Sequence, residues 1–522
     1  MTAGVVRRRR ERQALWAATL TNGPNELIDF VLPLWAGAAL GLSATEVGVL
    51  TAVEMAVSVL VRPVAGVLAD RYERRYVAAL GALLYAVSCA GYAVAGEVAM
   101  AYGAAAVGGA GGALLWVSVR AMVSERLDED SGVFPRLLSA EETGSWVAFV
   151  AGLTLLGVIG FGGLFWLCAA ACLLAAGLLL AAPKRPGRVG APVAGGLGAV
   201  GRRLRPMLFA VAMTMAAEAA VSLLLLLHLQ RGFGLEVVQI AYVFLPGAIA
   251  MSVAAGYLHR YVVRFGRSRV LTAASLASCA FAVSLAWAPS PYVIAGLWVL
   301  SGLAWAAVIP VQQAVIAEAS GDQVGRGMGV YESACLVGAL VGSLVAGALY
   351  DGANWAVACL VAAGLILAGA VVVPRAVRRL GVTEFPPPAE NNDDEPASGP
   401  VEQDTGDTSA DEPGVAKDEP GTAVDEVGGA KDEPAKLWAD LAVHAVLFAA
   451  TQAGLAFYDL SWVRDLVTRD LGTVLLGQVP RDGVAAFVYG AGRFWAIVLL
   501  IDLVWTVYRA LRRRSTTDRG TG

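Results

Sequence analysis

Apolar runs of about twenty residues recur along this chain, first from Ala14 to Pro374 and again after Ala435. A helix of that length crosses a hydrocarbon core of ~30 Å. In lipid only helices and closed barrels satisfy every backbone polar group. The runs are continuous and lack the period-two alternation of barrel strands, so the pattern predicts an all-α integral membrane protein. The composition agrees: 57% of residues are hydrophobic and only 16% are charged. A lipid bilayer is the expected surrounding, and no nucleic acid is expected as a partner.

Twelve spans are expected at 14–40, 47–69, 77–95, 98–121, 136–160, 163–182, 207–229, 239–258, 270–288, 291–316, 329–350 and 355–374, with two more at 437–458 and 492–510. Arg7 to Arg12 ahead of the first run resembles a leader peptide. That run carries Glu26 and Asp29 and continues to Ala39, so it reads as a first span. Basic residues test the count. With the N-terminus inside, the inside turns carry Arg71, Arg74 and Arg75, then Arg126 and Arg136, then Lys184 to Arg205, then Arg260 to Arg269, and Arg326. Among the outside turns Arg231 is the exception. Arg512 to Arg514 fall inside only if two spans follow the twelfth. Both termini are therefore expected in the cytoplasm, in the plasma membrane.

The organisation expected is an N-terminal six-helix bundle (1–182), an inside loop (183–206), a second six-helix bundle (207–380), an acidic linker (381–435) and a two-helix membrane hairpin with a basic tail (436–522). The net charge of −4 is set by the linker, where Asp-Glu recurs at 411, 418, 425 and 432 among prolines and glycines. Such a segment buries no core and should be disordered. Its prolines exclude a coiled coil.

The two bundles carry traces of one repeat. Residues 136–157 align without gaps on 326–347, so that Arg136, Glu142, Gly152 and Gly157 fall on Arg326, Glu332, Gly342 and Gly347. Ala121 to Glu125 resembles Ala314 to Glu318, and Gly41-Leu42 matches Gly234-Leu235. The offsets are 190, 193 and 193.

The second span ends in Gly66-Val-Leu-Ala-Asp70-Arg71-Tyr-Glu73-Arg74-Arg75. This closely resembles the signature loop of the major facilitator superfamily: a glycine, an acid four residues later, a basic residue, then a glycine and two more basics. It sits between spans two and three, as in the family. The resemblance covers about 14–375. It implies a twelve-helix, 6+6 pseudo-twofold bundle working by alternating access, with spans one and seven lining the cavity and this loop latching the halves. Gly66, Asp70, Arg71, Arg74 and Arg75 would form the latch, with Arg120 of span four either pairing with Asp70 or meeting an anionic substrate. Glu73 departs from the pattern, standing where the family has glycine. The second copy is degraded: Gly256-Tyr-Leu-His259-Arg260, then Gly266-Arg267-Ser-Arg269.

Ionisable residues at membrane depth default to functional candidates. Asn22 to Asp29 is a polar segment of span one that Pro24 should break. Glu26 and Asp29, spaced i and i+3, share a face. Glu218 lies mid-span in span seven, with Asn25 opposite it by the repeat. These four are the candidates for proton coupling or for holding a cation. The alternative is a carboxylate paired permanently with arginine or capping the break. Glu142 and Glu332 are repeat-related and expected to gate. Glu54 has no assigned side. Trp16, Trp35 and Trp305 are read as anchors or packing ahead of cavity lining.

No Cys/His cluster, Walker motif or hydrolase motif occurs, so no metal, cofactor or enzymatic activity is expected. The six cysteines all lie in apolar runs and read as packing. The function expected is a proton-coupled secondary transporter of a small organic molecule, with export favoured over uptake. The alternatives are a metabolite uptake transporter, or a receptor or scaffold whose C-terminal hairpin recruits an unknown protein partner.

Overall fold

The structure is a computed structural model, describing residues 3–185, 196–235, 237–352, 355–386, 429–457 and 459–469, with isolated positions between 474 and 507. The chain divides into two compact units, 1–390 with 475–487, and 391–474 with 488–522.

In the first unit eleven helices run in order: α1 (Ala3–Leu40), α2 (Ala44–Arg71), α3 (Arg74–Val94), α4 (Val98–Val123), α5 (Val133–Leu180), α6 (Leu197–Leu227), α7 (Val237–Phe265), α8 (Arg267–Leu285), α9 (Pro291–Ser320), α10 (Val324–Gly352) and α11 (Trp355–Arg379). At 48 residues α5 is twice the length of a crossing. It breaks at Gly160, whose φ of 66° only glycine adopts without strain, giving the fifth and sixth spans. The total is twelve crossings in two sets of six. Nine helical segments among the described residues are long and apolar enough to cross a membrane, and the longest of these, Pro291–Tyr350, covers two crossings. Helix α1 falls outside those nine, because its polar residues dilute its apolar run.

The repeat is structural. Helices α3 and α8 start 193 residues apart, and so do α4 and α9. Gly41 and Gly234 end α1 and the turn after α6 with φ of 65° and 66°. In each case the following leucine N–H returns to a carbonyl six residues back, Leu42 to Ala36 and Leu235 to Leu229. Close approaches repeat as well. A Cβ on Gly144 would sit 2.1 Å from the Thr19 carbonyl oxygen, and one on Gly342 would sit 2.1 Å from that of Ala216, so α1·α5 and α6·α10 are matching glycine contacts.

Two expectations change. The basic N-terminal run is helical from Ala3, and Arg10 is fully buried. Pro24 does not break α1, which runs through it to Leu40. A proline inside a helix removes one hydrogen bond, and packing of the flanking turns holds the helix together.

One apolar core spans both halves at the end that carries the arginine-rich turns, joining Ala14, Met122 and Phe134 to Leu204, Val262 and Met328. Towards the other end it divides. One core holds α1, α3, α4 and the second arm of α5 around Trp35, Tyr92 and Phe165. Another holds α6 to α9 and α11 around Leu225, Phe281 and Ile294. The halves are therefore welded at the basic end and separate beyond it.

In the second unit, α12 (Gly429–Phe457) and α13 (Trp462–Thr468) are joined by a turn at Asp459, with Ser461 capping α13. Ser461 donates to Gln452 at 2.8 Å, and Trp495 donates to His444 at 2.7 Å. Helix α12 starts at Gly429, inside the stretch expected as linker. The rest of the linker from 387, most of the last span and Asp502 lie outside the described residues.

Candidate functional site

At the basic end the latch is built from α2 and the start of α10. Asp70 accepts hydrogen bonds from the backbone N–H groups of Gly325 (2.7 Å) and Arg326 (3.1 Å). A carboxylate on the first turn of a helix meets both unpaired donors and the positive end of the dipole. Gly66 permits this, since a Cβ there would lie 2.5 Å from the Gly325 oxygen; one on Gly329 would lie 2.5 Å from the Arg62 oxygen. Arg74 stands 4.0 Å from Asp70 and also pairs with Glu125 (3.3 Å), while Arg75 donates to Ala182 O within the N-terminal half. Arg71 is exposed. Glu73, the departure from the family pattern, caps α3 with ordinary φ of −66° and accepts from buried Arg10 at 2.7 Å. The position needs no glycine here and serves as a counter-ion.

The pair Arg74–Glu125 recurs 193 residues on as Arg267–Glu318, bonded through both guanidinium ends. The latch itself does not recur. At the 193-residue offset the place of Gly66 falls to His259, which bonds Ser131 at 2.8 Å, next to the start of α5. Beside it Ser139 donates to Ser252 O at 2.6 Å.

One helical turn deeper, four charges from both halves form a chain. Arg62 pairs with Glu332; Arg120 meets Glu332 at 2.9 Å and Glu141 at 3.2 Å. Arg120 therefore pairs with these two carboxylates rather than with Asp70. Sequence reasoning passed over Arg62 and Glu141. Both are ionisable residues within apolar runs, and that alone flags them. Glu142, the repeat counterpart of Glu332, has no such partner: the position matching Arg62 is Ala255.

Above this chain the halves part. Glu26 and Asp29 are exposed on α1, on the face away from the core residues Leu27, Ile28 and Val31. Glu142 on α5, Glu218 on α6 and Glu54 on α2 are half-buried. Among the described residues no basic side chain stands within ion-pair distance of these five. Asn25 turns aside and accepts from Tyr85 at 3.2 Å, while Ser222 donates to Glu218 at 3.4 Å. Trp35 is buried against Tyr92 and Phe165, Trp16 is exposed, and Trp305 lines a pocket beside Glu218.

The arrangement leaves five unpaired carboxylates beyond a neutral four-charge chain that ties the halves together near the basic end. Carboxylates at membrane depth that lack a basic partner are suited to hold protons or a cation.

The family model described as Major Facilitator Superfamily matches residues 15–264 and 207–501. Among solved structures, the crystal structure of the human organic anion transporter MFSD10 (TETRAN) is similar with a TM-score of 0.61 at 20% identity, covering 70% of this chain and 99% of that one. No curated protein matches the sequence.

Proposed function

The chain belongs to the major facilitator superfamily and is a membrane transporter, and from that premise we propose that it moves a small organic molecule by proton-coupled alternating access. The observation that carries this is the set of five carboxylates from both halves, at membrane depth and without a basic partner among the described residues. Protonation removes an unfavourable buried charge, and the number of protons held differs when the chamber opens to the other side. The fold likeness at 20% identity carries no substrate. The chain's own chamber charges favour a cationic or neutral substrate over an anion, and with proton influx this favours export.

In this reading the basic end faces the cytoplasm, the membrane is the plasma membrane, and the chamber opens outward. Asp70 on α10, the Arg62–Glu332–Arg120–Glu141 chain and the Ser131–His259 bond hold that state; those of these contacts that cross the halves must part for inward opening. The C-terminal unit acts as an accessory membrane hairpin that recruits a protein partner.

Glu218→Gln tests the coupling. In proteoliposomes with an imposed pH gradient, the variant should lose proton-driven flux while counterflow persists at saturating substrate. Full proton-driven flux in the variant would remove Glu218 from the coupling and the reading with it.

A further inference from the structure

A pocket lies wholly within the C-terminal half, between α6, α8, α9 and α11. Glu218 lines it, at membrane depth on α6.

Its polar lining is unusual for membrane depth. Hydroxyls on membrane helices commonly bond back to the carbonyl four residues earlier. Thr214 does so to Ala210 at 2.6 Å, and Thr272 to Ser268 at 2.9 Å. Ser275, Ser278 and Ser301 line the pocket and make no hydrogen bond to protein among the described residues. Three hydroxyls left open in a low-dielectric interior are a cost unless a ligand or water meets them. The walls are indole: Trp305, and Trp298 held edge-on between Phe244 (4.8 Å) and Phe281 (5.8 Å).

The repeat explains why the space exists. In the N-terminal half the matching positions are closed. Tyr85 stands where Ser278 is and donates to Asn25, the counterpart of Glu218. Gly81 and Gly111 draw α3 and α4 together, since a Cβ on them would meet the Leu115 nitrogen at 2.4 Å and the Tyr85 nitrogen at 2.8 Å. Their counterparts are Ala274 and Ala304, which prop α8 off α9, and Gly108 is replaced by Ser301.

We propose that this pocket in the C-terminal half is a binding site for a monovalent aromatic organic cation, with Glu218 as its counter-ion. No basic side chain lines the pocket, so an anion would meet Glu218 with nothing to offset the repulsion. A hydrocarbon would leave the carboxylate and three hydroxyls dry and unpaired. An aromatic cation satisfies the carboxylate, stacks on the indoles and gains cation–π attraction. The proposal rests on the transporter reading above and deepens it.

The test uses purified full-length protein and three probes: benzyltrimethylammonium, its neutral carbon isostere neopentylbenzene, and benzoate. Calorimetric titration and thermal shift should detect the cation alone. Glu218→Gln should weaken it about tenfold or more. Ser278→Tyr places in the pocket the side chain the other half has there, and should abolish binding with Glu218 intact. Unliganded melting temperatures of the variants verify their folding, and Ser301→Leu serves as a second filler if Ser278→Tyr is unstable. Equal binding of the neutral isostere, or unchanged cation binding in a folded filler variant, overturns the proposal. Failure of the proposal is distinguishable from failure of the transporter reading. Flux that depends on Glu218, without cation binding in the pocket, overturns this inference alone, whereas full proton-driven flux in Glu218→Gln overturns the coupling.

Discussion

In the N-terminal half α3 lies against α4 through Gly81, Gly108 and Gly111; in the C-terminal half the same positions hold Ala274, Ser301 and Ala304, and a pocket stands between the helices. The halves share helix order, helix phase and an arginine–glutamate pair at the basic end, Arg74–Glu125 and Arg267–Glu318. They differ where the chain meets a ligand or the opposite half. The first half supplies the acid that caps α10; the second offers a neutral histidine–serine contact in the related place. One half is a compact, charge-bearing frame and the other is hollowed. Shared ancestry of the pattern thus fixes the scaffold, while single methyl groups and single charges divide the labour.

The largest expected effect comes from the ion chain that crosses the halves. Arg62→Met leaves Glu332 buried with one cation fewer, at a cost of about 3–5 kcal/mol. Adding Glu332→Gln should recover part of this, because the unpaired charge is then gone. Thermal unfolding of the single and double variants measures it. A single variant as stable as the parent would mean the chain does not bear on the closed basic end.

Next in size is the difference in helix packing. Gly81→Ala should destabilise by about 1–3 kcal/mol, because the methyl meets backbone that cannot swing away. The reciprocal change, Ala274→Gly, should cost only about 1 kcal/mol, the ordinary penalty of glycine in a helix. If the two were equal, the claim that glycine alone brings α3 onto α4 would fail.

The smallest effect separates the two contacts at the basic end. Asp70→Asn removes the charge from two hydrogen bonds to a helix start, about 2 kcal/mol. His259→Asn alters one neutral bond, about 1 kcal/mol. Labelling of cysteines placed in the closed interface should rise more for the first variant. An equal rise would make the two contacts equivalent, against their chemistry.

Much of this was legible in the residues. Run length and lipid physics dictate helices, arginine placement counts the crossings, and the 193-residue offset seen in two short matches holds through four helices. The latch stood out because glycine, acid and arginines sit within ten consecutive residues. The ion chain did not, because Arg62, Arg120, Glu141 and Glu332 lie on four different helices and pair only across packed interfaces. The family glycine replaced by Glu73 pointed to an altered turn; the partner that explains it, Arg10, is 63 residues away.

The sequence by itself determined the membrane class, the number of helices in the bundle, the repeat and the identity of the carboxylates at membrane depth. These are local properties, written in hydrophobic length, charge and spacing along one chain. The tertiary structure decided which carboxylates keep an arginine and which stand in the open chamber, and which half closes on itself. Those outcomes depend on distances of a few ångströms between helices far apart in sequence. At that range a single Cβ sets whether two helices touch, and a single guanidinium sets whether a buried carboxylate has a partner.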